Sequence, residues 1–219
     1  MTVTHSLSLA IRFLDHFTRR AVVQELPVRL DHSFTRPVRR ADGGGMRQAD
    51  GCYRFLRLPL GTHRILWRDP FQRSAAGWTR WDQPDPIVTL PLADPTTAIE
   101  VELWPTPEAT TAAGTTGLRG KLHGTGVAGL EIRIAPQGQS FDRMTRSDDA
   151  GEFLFLPPGA LPLDVAGRVR LTMQVRAPGG AVRPIISGRF QPASAGPAFA
   201  GNAFSILPQT AARVLFQLA

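Results

Sequence analysis

The sequence predicts an all-β protein built as two tandem antiparallel β-sandwich domains, and three observations predict it. A short phrase occurs twice, one hundred residues apart: Asp50-Gly51-Cys52-Tyr53-Arg54-Phe55-Leu56-Arg57-Leu58-Pro59-Leu60-Gly61 is echoed by Asp149-Ala150-Gly151-Glu152-Phe153-Leu154-Phe155-Leu156-Pro157-Pro158-Gly159. A repeat of this kind marks a duplicated supersecondary unit. Glycine and proline are plentiful (21 and 19 in 219 residues) and fall between short apolar runs, which favours many strands over helices. No amphipathic helical stretch stands out, and residues 6–17 come closer to alternation than to a 3.6-residue period.

The repeated phrase has the chemistry of a hairpin. Its Asp-Gly or Asp-Ala-Gly supplies the residue tolerant of positive φ that a tight turn needs. Tyr53 and Phe55, like Phe153 and Phe155, then alternate on one face of a strand. Leu-Pro closes the strand, because proline cannot donate to a ladder.

In the first domain, residues 1–104, the pattern predicts strands at 7–14, 22–30, 53–58, 62–68, 87–90 and 99–104. Residues 34–46 read as an open loop carrying Arg39 and Arg40 ahead of three glycines, and 69–86 as a long ordered loop rich in Trp, Gln, Pro and Asp. Residues 105–117, rich in Thr, Ala, Pro and Gly, have the composition of a linker. The second domain, residues 118–219, predicts strands at 118–122, 127–135, 152–156, 169–177, 182–190 and 213–218. Pro178-Gly179-Gly180 forms a hairpin turn there, and 191–202 a long excursion carrying Phe199. Each half is long enough to bury about two-thirds of its unfolded surface.

The net charge of +7 comes almost wholly from arginine, Lys121 being the only lysine. Arginine contacts phosphate well. These arginines are scattered, however, with no basic run, RNP-like aromatic motif or zinc-finger spacing, so nucleic acid is not expected as a partner. A basic face that meets an acidic protein fits at least as well. The lone Cys52 excludes an internal disulfide and suits a reducing compartment. No signal peptide and no run of about 18 apolar residues appears, so the expected site of synthesis is the cytoplasm, with no membrane span.

The sequence holds no zinc-protease, Cys-x-x-Cys, nucleophile-elbow, P-loop or dinucleotide motif. His5, His16, His32, His63 and His123 are isolated; His16 beside Asp15 is the nearest approach to an acid/base pair and reads better as a strand end. Asp148-Asp149-Ala150-Gly151 lacks the alternate ligands of a calcium loop. No catalytic residue, metal or cofactor is expected. The aromatic and basic loop is the candidate interface instead, because Trp and Arg are favoured contact residues. It offers Arg73, Trp78, Arg80 and Trp81, to which Arg39, Arg40 and Phe199 are added. Trp78 and Trp81 could equally stack on sugar rings, which keeps a carbohydrate-binding module as the alternative.

Residues 118–155 carry a family resemblance. Leu118-Arg-Gly-Lys-Leu122, then Gly126-Val-Ala-Gly-Leu-Glu-Ile-Arg-Ile134, then Arg146-Ser-Asp-Asp-Ala-Gly-Glu-Phe-Leu-Phe155 resembles the carboxypeptidase regulatory-like (transthyretin-like, prealbumin-like) β-sandwich family. Gly120, Val127, Gly129, Ile132, Asp148, Gly151 and Phe153 match its pattern; Leu130 and Ser147 stand where the family carries Ala and Thr. The resemblance implies a transthyretin-like or Ig-like sandwich without peptidase activity. Pro27–Leu30, the Gly51–Gly61 phrase, Ile87–Leu92, Ile99–Pro107 and Leu118–Gly120 together resemble tandem β-sandwich proteins associated with contractile phage tails and related injection systems. That likeness implies a non-enzymatic structural or adaptor subunit on a cap, collar or baseplate. Its partners would be other subunits of a multiprotein particle, including copies of itself.

Overall fold

The structure is a computed structural model and describes residues 6–31, 35–68, 77–81, 83–111, 114–141, 143–157 and 160–219. The chain divides into two compact units, Met1–Trp104 and Pro105–Ala219. Both are all-β.

The first unit contains β1 (Leu7–Asp15), β2 (Arg29–Leu30), β3 (Cys52–Leu56), β4 (Gly61–Leu66), β5 (Trp78–Thr79), β6 (Ile87–Leu90) and β7 (Ile99–Pro105). One sheet runs β3-β1-β7-β5 and the other β2-β4-β6. β1–β3, β2–β4 and β4–β6 pair antiparallel, while β1 and β7 run parallel with Ile11 opposite Ile99. The two sheets share one core. Leu9, Ile11 and Phe13 of β1, Tyr53 and Phe55 of β3 and Leu103 of β7 meet Leu30, Ile65 and Val88 of the other sheet. The strand expected over 22–30 shrinks to Arg29–Leu30, although Val22, Leu26 and Val28 are all buried. Side chains take the bonds that a ladder would use: the Leu26 N–H donates to the Tyr53 hydroxyl at 2.7 Å, and Arg47 Nε donates to the Val22 carbonyl at 2.8 Å.

The second unit contains β8 (Gly117–His123), β9 (Glu131–Pro136), β10 (Met144–Arg146), β11 (Glu152–Phe155), β12 (Val169–Arg176), β13 (Val182–Arg183), β14 (Ile185–Gln191), β15 (Phe199–Ala200), β16 (Ala203–Ile206) and β17 (Ala211–Leu218). One sheet is β10-β9-β12-β13 with β16 also on β12, and the other is β11-β8-β17-β14-β15. Here too the first strand, β8, pairs antiparallel with the strand of the repeated phrase, β11, and parallel with the last, β17. The duplicated phrase therefore fills the same topological place in each unit.

The turn before it is duplicated bond for bond. Gln48 N–H donates to Cys52 O at 2.8 Å and Gly51 N–H to Gln48 O at 2.9 Å; Asp148 N–H donates to Glu152 O at 2.8 Å and Gly151 N–H to Asp148 O at 3.1 Å. Both turn glycines need their left-handed φ, +83° at Gly51 and +78° at Gly151.

Three further expectations change for local reasons. The expected strand 127–135 begins only at Glu131, because Ser147 pins the preceding turn: its hydroxyl donates to Val127 O at 2.5 Å and accepts from Leu130 N–H at 2.9 Å. The expected strand 182–190 breaks at Pro184, which has no N–H to donate. The excursion 191–202 is ordered within the unit, as a 3₁₀ turn at Ala193–Ala195 followed by β15.

Candidate functional site

The residues expected to meet a partner are mostly spent inside their own unit. Trp78 pairs through β5 with the sheet edge and packs half-buried against the first unit's core. Trp81 is half-buried in a left-handed backbone conformation (φ +51°), with its N–H donating to Thr79 Oγ1 at 2.9 Å. Arg80 acts as an internal clamp. Its guanidinium donates to Gln83 Oε1 at 2.9 Å and to the Pro84 carbonyl, and burial pulls its pKa below the usual arginine value. Arg73 lies outside the described residues. Arg40 is half-buried and bonded locally to Asp42 at 3.2 Å, while Arg39 beside it is exposed. Among the described residues of that set, Arg39 is left open to solvent.

Phe199 is placed inward. Its ring stacks on Phe204 at 5.1 Å and meets Phe190 and Phe216 edge-on, both at 5.9 Å. Swinging it out to a partner would forfeit on the order of 1–2 kcal/mol of apolar burial and ring contact. Phe199 thus takes part in an aromatic bridge between the second unit's two sheets.

Among the described residues the histidines do not assemble a catalytic set. Asp15 caps the turn after β1 by accepting the Phe17 N–H at 2.8 Å. His16 stacks on Trp104 at 4.6 Å, with Nδ1 3.1 Å from Glu102 Oε1. His63 bonds the Pro59 carbonyl at 2.9 Å. His5 and His32 lie outside the described residues. Among the described residues no group of three or more His, Cys, Asp or Glu is placed to hold a metal ion. Cys52 is buried, with the Arg12 guanidinium 3.5 Å from its sulfur.

The second unit carries a different surface, which the sequence reading missed. Alternation along β8, β17 and β14 sends Leu118, Leu122, Val214, Phe216 and Phe190 into the core. The intervening residues form rows on the opposite face. In one row Arg119 stands beside Arg213, and Arg213 beside Gln191. In the next, Glu152, Lys121, Leu215 and Arg189 follow one another across the strands. A third row is His123, Gln217 and Ser187.

The cations here differ in how they are occupied. Lys121 Nζ sits 3.0 Å from Glu152 Oε1. Arg119 donates to the carbonyls of Pro107 and Ala109, holding that segment against the sheet. The stretch read as a free linker is thus bound at its start, with Thr106 and Ala109 buried. Burial, and secondarily the charge of Arg213, lower the Arg119 pKa from its usual value. Arg213 and Arg189 have no hydrogen-bond or ion-pair partner among the described residues, and both are exposed. Like charges directly opposite one another destabilise a sheet. Arg119 beside Arg213 is such a pair.

Two hollows open on this face. One of about 550 Å³ is walled by the 107–111 segment and lined by Glu108, Arg119, Lys121 and Arg213. The other, of about 380 Å³, is lined by His123, Arg189 and Gln217. Leu215 lines both. The alternation over 118–122 and 213–218 was legible as strands, but not that the two lie side by side.

No protein-family model matches the sequence, and no curated protein is similar to it. Among solved structures, the chain is similar to the TIE protein of Bacillus anthracis, at 12% identity over 98% of this chain and 34% of that one, with a TM-score of 0.31. It is also similar to a streptococcal ancillary pilin, at 14% identity over 96% of this chain and 62% of that one, TM-score 0.28. A third is the major pilin T-13 of Streptococcus pyogenes, at 10% identity over 98% and 97%, TM-score 0.22. The chain spans about a third of the first structure and under two-thirds of the second. TM-scores this low do not define a common fold. Among the described residues no helix is long and apolar enough to cross a membrane.

Proposed function

We propose that this chain is a non-enzymatic structural or adaptor subunit that docks into a multiprotein particle. The carrying observation is the outer face of β8, β17 and β14, a sheet surface where Arg189 and Arg213 are exposed and have no ion-pair partner among the described residues. Such a face suits a charged protein partner, because complementary charge steers encounter and fixes register. The particle we propose is a contractile tail-like machine, a phage tail or related injection system, with this subunit on its cap, collar or baseplate. The support for that finer reading is the sequence resemblance of the Ile87–Leu92, Ile99–Pro107 and Leu118–Gly120 stretches.

The carbohydrate-binding reading loses its main support. A sugar platform needs a flat, open indole face, and Trp78 packs on the core while Trp81 is half-buried. The test is affinity capture of the tagged chain from its own host, followed by negative-stain imaging. Sheathed tubular particles in the eluate are expected; a lone monomer overturns the reading.

A further inference from the structure

We infer that the outer face of the second unit binds an extended acidic segment of a partner protein, with an apolar side chain seated over Leu215 and carboxylates on Arg213 and Arg189. The inference deepens the docking reading and rests on it. Arg213 precedes Leu215 by two residues on β17, and Arg189 is the neighbour of Leu215 across the ladder on β14. Leu215 is half-buried and lines both hollows, so an apolar group set there meets a ready floor. Alternate residues of an extended chain stand about 6.6–6.8 Å apart on one face, which is also the spacing of Arg213 and Leu215 along β17, so a residue two away from the seated one comes over Arg213.

The other cations of the face are already committed. Arg119 holds the carbonyls of Pro107 and Ala109, and Lys121 holds Glu152. An incoming carboxylate beside Arg213 would also relieve its repulsion with Arg119, a gain that no internal group supplies.

A nucleic acid fits this face less well. Phosphate binding gathers strength from many cations acting together, and only two of those in the rows are uncommitted. A polyanion also has no use for Leu215.

The test is fluorescence anisotropy of the full chain with a labelled peptide of alternating Glu and Leu, its Gln-for-Glu counterpart, and a duplex DNA of matched label. The acidic peptide is expected to bind, to weaken as salt rises, and to lose at least about tenfold in affinity with the Arg189→Gln, Arg213→Gln double variant. Unchanged unfolding curves would establish that this variant folds. Failure of the acidic peptide to bind, equal binding by the Gln peptide, indifference to the double variant, or tighter binding of DNA each overturns the inference. Capture of particles by the wild-type chain tests the docking reading separately. If particles also co-purify with the double variant, the docking reading stands and this site falls.

Discussion

Phe153 lays its ring over Gly120, its direct neighbour across the β8–β11 ladder. A Cβ at Gly120 would fall 2.0 Å from the tip of that ring. Phe153 is fully buried and also contacts Phe216 at 6.0 Å between ring centres, so it has nowhere to retreat. Gly120→Ala is expected to cost about 1–3 kcal/mol, the usual range for overpacking a filled core. Phe153→Leu in the same chain should recover part of that loss, which a double-mutant cycle in denaturant unfolding would measure.

Tyr53 occupies the equivalent strand position in the first unit and solves a different problem. Its hydroxyl accepts the Leu26 N–H, so Tyr53→Phe leaves a buried donor unpaired and is expected to cost about 1–3 kcal/mol in denaturant unfolding. Burial also raises the phenol above its ordinary pKa of 10.0. The folded chain therefore holds a proton that the unfolded chain releases. Stability from this group is complete below the ordinary value and is lost as pH rises through the raised one. Tyr53 is the only tyrosine, so phenolate absorbance reports it alone. Its midpoint should lie above 10.0 in the folded chain and return there in urea.

Local chemistry was readable from the sequence, and long-range pairing was not. The turn ahead of Phe153 was legible because Asp148 and Gly151 encode it within four residues: one Asp148 oxygen accepts the Ala150 and Glu152 N–H groups at 2.9 and 2.8 Å. The span 22–30 misled because Val22, Leu26 and Val28 are buried like strand residues, while the bonds that replace a ladder come from Tyr53 and Arg47. Trp78 and Trp81 looked like an open interface by composition, but β5 pairs at the sheet edge and packs Trp78 on the core, while Trp81 just after it is half-buried. The Arg119–Arg213 pair was hidden for the opposite reason. Parallel pairing joins the unit's first and last strands, and no local pattern records that.

Asp94 gives a pH prediction in the first unit. The Thr96 and Thr97 hydroxyls, with the Thr96 N–H, hold its carboxylate down to a pKa of about 2. A lowered carboxylate contributes stability that is present above the ordinary value of 3.8 and is lost as pH falls through the lowered one. NMR titration of the Asp94 carboxyl carbon should place its midpoint well below 3.8, and Thr96→Ala should move it upward.

Arg119 and Arg213 should separate in their effects, although they stand side by side. Arg119 ties down Pro107 and Ala109, so Arg119→Gln should loosen the 105–111 segment. The sensitive reporter is the Ala109 amide, which bonds the Thr106 carbonyl at 3.0 Å inside that segment. Its hydrogen exchange is expected to speed up by about tenfold or more, as local opening becomes easier, while Leu118 and Leu122 in β8 stay protected. Arg213→Gln removes a charge that makes no bond to the segment, and it relieves a like-charge neighbour. It should leave the Ala109 amide unchanged and raise stability by a few tenths of a kcal/mol at low salt, less as salt screens the pair. Exchange and denaturant unfolding on the two single variants would separate the strap's anchor from the charge left open to a partner.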